Sequence, residues 1–504
     1  MKKRMNYLPL IIAYFFILLF LYAAVSKILD FENFQVQIGQ SPLLSAYAGF
    51  ISYAVILVEM IIAVLLSFER SRKIGLYCSA ALMSAFTIYI YLILNYSDFV
   101  PCSCGGILEK LGWTEHLIFN IVCVILGITA IGFEKARHDG SQKQSLIISG
   151  TANLLSIGIV IGLFFSSEHI IKEENNFTRR FYPNGLIEEH RKKLNHTYYY
   201  FAGKEGKNIY LGDITQPLQS KKLSDDLQSE TDLKIKLDDY THLFKNLRLQ
   251  VTGGYYFLYD GSVPVIYRGK TDLPTTETLS YKQAYFNQLA AIDSTTFVFR
   301  TISNKTKAFT IGILQTGENH QVKMHPEILI RQTDGIFDSE GHLLTVQKEN
   351  EKKIIYTYTY RNQIVVMNQS LERKEVLKTI DTTSIARVKT TTLSDGRSKM
   401  SAPPYKVNTL QTENGNYLFN HSNIMGKNES VKRWKSSSVI DLYNIESRTY
   451  VGSLYIPHAK DKKLSAMLAT DDYLYAIAGN EIICYRFRDN VLKALHKKGK
   501  PKTL

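Results

Sequence analysis

The chain is 504 residues long, more than one ordinary domain needs, and carries 60 basic against 46 acidic side chains, a net charge of +14. The basic residues are scattered, with no arginine-rich block and no zinc-finger spacing, which argues against nucleic acid as a partner. Five cysteines are too few for a disulfide scaffold.

Polarity changes sharply along the chain. Residues 1–165 are strongly apolar, with 11 basic and 9 acidic side chains, whereas the remainder holds 49 and 37. The excess of +12 in the second part suits an acidic partner or an anionic lipid surface. A membrane domain over 1–165, a charged linker over 166–194 and a polar domain over 195–495 are therefore expected.

Five apolar runs fall in the first part, at Leu8–Val25, Ala46–Phe68, Ile74–Tyr96, His116–Phe133 and Leu146–Phe165. Each is long enough to cross about 30 Å of hydrocarbon. A lone segment in that layer must satisfy its own backbone, so each reads as a transmembrane helix. Lys2, Lys3 and Arg4 precede the first run; Arg70, Arg72 and Lys73 follow the second; Lys135, Arg137 and Lys143 follow the fourth. The opposite loops hold only Lys27 and Lys110. Positive charge stays on the cytoplasmic side, so the expected protein is a multi-pass component of the cytoplasmic (inner) membrane. Its N-terminus is cytoplasmic and its C-terminal domain extracytoplasmic, in the periplasm.

That orientation puts the loop between the third and fourth runs outside. It reads Pro101-Cys102-Ser103-Cys104-Gly105-Gly106 and continues through a short amphipathic stretch to Trp113. Two cysteines one residue apart, in an oxidising compartment, can close a small strained ring, and a strained disulfide is easily reduced. Gly105 and Gly106 permit a tight turn that leaves the second sulfur accessible. Three readings stand side by side: thiol–disulfide exchange, a static bridge, and a metal site using Cys102, Cys104 and His116. The third lacks an evident fourth ligand.

Two further residues belong with this loop. Glu59 lies well inside the second run, where a charge is costly. It reads either as a proton-relay or quinone-site residue, or as a carboxylate that joins helices through Lys27. Cys123 lies about two turns into the fourth run; it reads as a buried core residue, the alternative being a relay for electrons from the surface pair. Cys78 and Cys484 read as packing residues.

The Cys102-Ser103-Cys104-Gly105-Gly106 motif between the third and fourth spans resembles the MauE branch of the DoxX-like membrane proteins. Ser26-Lys27-Ile28-Leu29-Asp30 after the first span, where that family often has a Lys-Leu-Asp-like stretch, and Glu59 in the second match it as well. The resemblance covers residues 7 to 165. It implies a helical bundle with a role in thiol–disulfide redox chemistry, since MauE proteins take part in methylamine utilisation and are associated with disulfide formation in a partner subunit. It also implies Cys102 and Cys104 as the reacting pair, with Gly105, Gly106, Glu59, Lys27 and Cys123 in support. A quinone is the electron acceptor by analogy, and the partner is an exported Cys-containing client or a thioredoxin-like protein. The large C-terminal domain departs from simple MauE proteins. Whether the chain is itself a thiol–disulfide oxidoreductase stays open, because a quinone-linked oxidase normally uses two communicating cysteine pairs and only one is evident.

From about Asn195 the chain becomes a series of short aromatic and β-branched runs punctuated by Gly, Asn, Asp and Ser, such as Thr197–Phe201, Gly254–Tyr259, Gln363–Met367 and Asn416–Asn420. Paired runs recur, as in Tyr255–Leu258 with Pro264–Tyr267 and Tyr473–Ala476 with Glu481–Tyr485. A recurrence of roughly 40 to 60 residues predicts an all-β domain, a β-propeller of about six blades. The last hairpin is expected to close the ring against Thr197–Phe201. A pair of β-sandwiches is the alternative fold, and a non-enzymatic membrane-tethered propeller, acting as scaffold or sensor over a merely structural Cys102–Cys104 bridge, is the alternative function.

Overall fold

The structure is a computed structural model that describes residues 7–31, 34–35, 38, 48–96, 112–134, 142–171, 177–317, 320–348, 351–372, 374–394, 398–403, 405–459 and 462–496. It divides into two compact units, residues 1–173 with 388–404, and residues 174–387 with 405–504.

The first unit contains five helices: α1 (Leu8–Leu29), α2 (Ala48–Ser67), α3 (Arg72–Tyr96), α4 (Trp113–Glu134) and α5 (Gln142–Ile171). All five are long and apolar enough to cross a membrane, so the chain is a multi-pass membrane protein. Side chains four residues apart share a helix face. Ile12, Phe16 and Phe20 of α1 accordingly point together into a core with Ile62 and Leu66 of α2, Ala80 and Met83 of α3, and Cys123 and Ile131 of α4. Ile11 and Leu18, on another face of α1, stay 62 % and 70 % exposed, as residues facing lipid should be. Apolar burial gives little net drive inside a bilayer, so helices associate through small residues and polar contacts. A Cβ on Gly127 would lie 3.1 Å from the Ala80 Cβ. Ser84 Oγ donates to Asn153 Oδ1 at 2.7 Å, and Ser156 Oγ to the Ala81 carbonyl at 2.6 Å, joining α3 to α5. The hairpin β18 (Thr390–Thr392) and β19 (Ser398–Met400) also belongs to this unit.

The second unit is a six-bladed propeller, and its topology alone establishes this. Blade 1 is β2 (Tyr199–Glu205), β3 (Asn208–Asp213), β4 (Gln219–Ser224) and β5 (Glu230–Lys234). Blade 2 is β6 (Arg248–Thr252), β7 (Tyr255–Asp260), β8 (Val265–Lys270) and β9 (Thr276–Tyr281). Blade 3 is β10 (Gln288–Ala291), β11 (Thr296–Ile302), β12 (Phe309–Gln315) and β13 (Gln321–His325). Blade 4 is β14 (Gly341–Lys348), β15 (Glu351–Tyr358), β16 (Gln363–Asn368) and β17 (Lys374–Lys378). Blade 5 is β20 (Asn408–Asn414), β21 (Tyr417–Ser422), β22 (Ser437–Asn444) and β23 (Thr449–Pro457). Blade 6 takes β24 (Leu464–Ala469), β25 (Tyr473–Ala478) and β26 (Glu481–Phe487) from the end of the chain and β1 (Leu186–Lys193) from the beginning.

Within each blade, neighbouring strands are antiparallel, and the first strand of each blade touches the first strands of its two neighbours around a closed ring. Side chains tie the ring together. Gln250 Oε1 accepts from the Ala291 amide at 3.1 Å, Gln288 Nε2 donates to the Gly341 carbonyl at 2.6 Å, and Thr412 Oγ1 accepts from the Ala469 amide at 3.2 Å. Blades 1 and 2 come closest, where Gly203 pairs with Val251; a Cβ at Gly203 would sit 2.0 Å from the Val251 carbonyl oxygen. The hydrophobic core is shared rather than owned. One cluster joins Phe257 and Ile266 of blade 2 to Phe297 and Phe299 of blade 3, another joins Phe419 and Ile440 of blade 5 to Leu474 and Ile483 of blade 6, and each remaining blade interface has its own. A single blade buries too little apolar surface to stand alone.

Ring closure differs from the expectation. The segment read as linker over 166–194 contains the end of α5 and the whole of β1, and β1 pairs with β26 from Leu186↔Phe487 to Lys193↔Glu481. The Thr197–Phe201 run is not the closing strand; it opens blade 1 as β2. β1, Leu-Ile-Glu-Glu-His-Arg-Lys-Lys, is the outermost strand of its sheet and none of its side chains is fully buried. Charge is tolerated there, so the segment lacks the apolar alternation that marks inner strands.

Candidate functional site

The loop that carries Cys102, Cys104, Gly105 and Gly106, with the amphipathic stretch after it, lies outside the described residues. What is described is the bundle on either side: α3 ends at Tyr96, and α4 begins at Trp113, where the His116 amide bonds to the Gly112 carbonyl at 3.0 Å.

Lys27 and Glu59 are brought together. Lys27 lies in the last turn of α1, and its Nζ donates to Glu59 Oε1 on α2 at 2.6 Å. The Glu59 side chain is 1 % exposed and that of Lys27 is 17 % exposed. The ammonium also lies over the Phe34 ring, 5.6 Å from its centroid, an arrangement that stabilises a partly desolvated cation. Among the described residues, Glu59 Oε2 has no hydrogen-bond partner. Lys27 is within electrostatic reach of His116 on α4. His116, Asn120 and Cys123 recur at helical spacing along α4, and Asn120 and Cys123 are both buried. Asn120 escaped the sequence reading, because a lone Asn in an apolar run gives no motif.

The three described cysteines have no disulfide partner; Cys123 and Cys484 are buried and Cys78 is half-buried. Cys123 packs within the α1–α4 core. Cys484 is in β26 beside Tyr475, and burial pushes its thiol up to about 12, so it is not a thiolate at neutral pH. Among the described residues, no group of three His, Cys, Asp or Glu side chains is placed to hold a metal ion.

In the propeller ring, charged side chains of the first strands meet. Lys204 Nζ of β2 donates to Asn414 Oδ1 at 2.9 Å and to the Ala469 carbonyl at 2.8 Å, which joins blades 1, 5 and 6. Next to it, burial raises the Glu413 carboxyl to about 7, and the Lys204 ammonium offsets only part of that rise. A group whose folded pKa lies above its unfolded value contributes stability that is complete below the unfolded pKa and is lost as pH rises through the folded one. The propeller should therefore lose stability between about pH 4.5 and about pH 7 through Glu413. Thermal melting across that window should show the slope in the wild type and a flatter curve in Glu413→Gln.

At the edge of blade 5, the segment before β1 is anchored by Arg179, which donates to Asp441, Glu429 and Ser422. No local signal in the sequence announces this cluster.

These features define a class: a multi-pass membrane protein whose helical bundle holds a buried ion pair, and whose second domain is a propeller closed by its own N-terminal strand. Residues 5–133 match the family model described as methylamine utilisation protein MauE, so this part of the chain is MauE-like. No curated protein matches the chain. Among solved structures, a member of the DUF4221 family from Bacteroides vulgatus is 12 % identical with a TM-score of 0.39, over 63 % of this chain and 99 % of that one. A nidogen/laminin complex chain is 10 % identical with a TM-score of 0.34, over 55 % and 85 %. The RRP9 WD40 repeats are 8 % identical with a TM-score of 0.34, over 62 % and 100 %.

Proposed function

We propose that the chain is a membrane-bound thiol–disulfide redox accessory protein, with Cys102 and Cys104 as the exchanging pair and the propeller as the domain that recruits a client. The observation that carries this reading is the MauE match, which spans the Cys102-Ser103-Cys104-Gly105-Gly106 motif. In this reading the loop and the propeller are extracytoplasmic and the bundle lies in the inner membrane.

The chemistry balances as a two-electron exchange. A client thiolate attacks one sulfur of the Cys102–Cys104 disulfide and forms a mixed disulfide; a second client thiolate then resolves it. The client pair is oxidised to a disulfide, Cys102 and Cys104 leave as thiols, and the two protons from the client remain with them. Reoxidation passes two electrons and two protons to an acceptor of the quinone class, which becomes a quinol.

Trapping tests the reading. In Cys102→Ala or Cys104→Ala the remaining cysteine is a thiol with no neighbour; its thiolate attacks the disulfide of an oxidised client and releases one client thiolate. With no second thiol of its own to free the client, one of the two variants should accumulate mixed disulfides with exported thiol proteins, visible as bands that a reductant collapses. If neither variant does, the pair is a structural bridge and the chain is better read as a tethered scaffold or sensor. Alkylation in intact cells checks the sidedness independently: an impermeant reagent should reach the loop from outside.

A further inference from the structure

The two faces of the propeller differ in a way that neither domain's proposed role explains. Strands alternate in direction, so the connections between blades and the turns between second and third strands emerge on one face; the turns between first and second and between third and fourth strands emerge on the other. Among the described residues, eight large apolar side chains are exposed in the connections of the first face and one, Leu273, in those of the second. Tyr198, Tyr240, Leu243, Tyr285, Ile330 and Ile385 sit in five of the six blade-to-blade connections, Leu243 at 81 % and Ile385 at 69 % exposure. Charge divides the same way. With residues 388–404 set aside, the connections of the first face hold 16 basic and 9 acidic residues, and those of the second hold 3 and 10. The acidic residues of the basic face are partly withdrawn: Asp338 and Asp381 are buried and accept backbone amides. Exposed Lys427 precedes the short helix α6 (Val431–Ser436), which carries exposed Lys432 and Lys435 together with Trp434.

Apolar tips interleaved with lysines, with tyrosine prominent among them, are the composition of a surface that rests at lipid headgroup level. Phe177, in the segment before β1, is packed against Val407 and Ile424, both in connections of this face. We propose that this face docks on an anionic lipid surface, with the apolar tips at headgroup depth and the lysines on lipid phosphates. Each lysine near such a surface adds to the attraction, and a cluster of exposed apolar side chains marks an interaction site.

Trp434 reports on it directly. The chain has two tryptophans, so Trp113→Phe leaves Trp434 as the sole emitter. The full-length variant is placed in nanodiscs of phosphatidylcholine, or of equal parts phosphatidylcholine and phosphatidylglycerol, each doped with a headgroup spin-labelled lipid. Trp434 emission should be quenched about twofold more in the anionic discs, and the excess should vanish in high salt and in the Lys427→Glu, Lys432→Glu, Lys435→Glu triple variant. Leu243→Ser with Ile385→Ser, both exposed, should weaken quenching in both lipids. Emission indifferent to the quencher in both lipids overturns the proposal. So does quenching that survives both sets of substitutions, and so does a face shielded only when a second protein is added, which would make it a protein interface.

Discussion

Arg179→Ala should destabilise the β domain by about 3–5 kcal/mol, the usual cost of leaving a buried ion pair half-occupied. The Arg179 side chain is fully buried, and its partners Glu429 and Asp441 are 3 % and 2 % exposed. Its Nη1 reaches Glu429 Oε1 at 2.6 Å, its Nε reaches Asp441 Oδ1 at 2.8 Å, and its Nη2 reaches both Ser422 Oγ at 2.7 Å and Asp441 Oδ2 at 3.2 Å. Removing the guanidinium leaves two buried carboxylates without the cation that bonds them both. It also removes the ring contacts with Phe177 at 4.8 Å and Trp434 at 5.8 Å. The consequence extends past blade 5, because the same segment leads directly into β1, whose pairing with β26 closes the ring. Lysine should not rescue the loss, since one ammonium cannot reach three partners in the fixed fork that arginine presents. Melting of the full-length protein in detergent, followed by proteolysis of the β domain, should show a fall of roughly 10 °C in both variants. Arg179→Met combined with Asp441→Leu and Glu429→Gln should recover most of it. An alanine variant that melts with the wild type would show that Asp441 and Glu429 are solvated and the cluster is not a strut.

How much of this was legible in the sequence depends on where each residue's partners lie. The five spans were readable because every residue of an apolar run faces lipid or other helices, so the run itself is the signal. The inner strands were readable for the same local reason: Thr197–Phe201 and Gln363–Met367 are short, aromatic or β-branched and bounded by turn residues. The closing strand β1 was not, because an outermost strand pairs along one edge and keeps its Glu, Arg and Lys in water. Arg179 was not, because its partners lie 243 to 262 residues away and meet it only once blade 5 has formed. The charge asymmetry was hidden as well. The excess of +12 looks scattered along the chain, and only the alternation of strand direction sorts it onto one face. Lys27 and Glu59 are the instructive middle case. A carboxylate in hydrocarbon needs a cation, and the loop after the first span offers one candidate.

That pair supports the second large effect. Lys27→Met should destabilise the bundle by about 3–5 kcal/mol, because it strands the buried Glu59 carboxylate without the ammonium it bonds. Glu59→Leu alone should cost less, since the remaining ammonium is 17 % exposed, near the end of α1, and can lift its charge toward the headgroups. The double variant Lys27→Met, Glu59→Leu should lie close to Glu59→Leu, so the coupling energy in a double-mutant cycle should be large and favourable. Unfolding by a denaturing detergent, followed through Trp113 emission in a Trp434→Phe background, measures all three. The same variants separate a strut from a proton carrier. With the pair acting only to join α1 to α2, the double variant, once folded, should leave Cys102 and Cys104 oxidised to the wild-type extent when thiols are alkylated in cells. A folded double variant whose cysteines accumulate as thiols would instead place Glu59 in the path by which protons leave with the electrons.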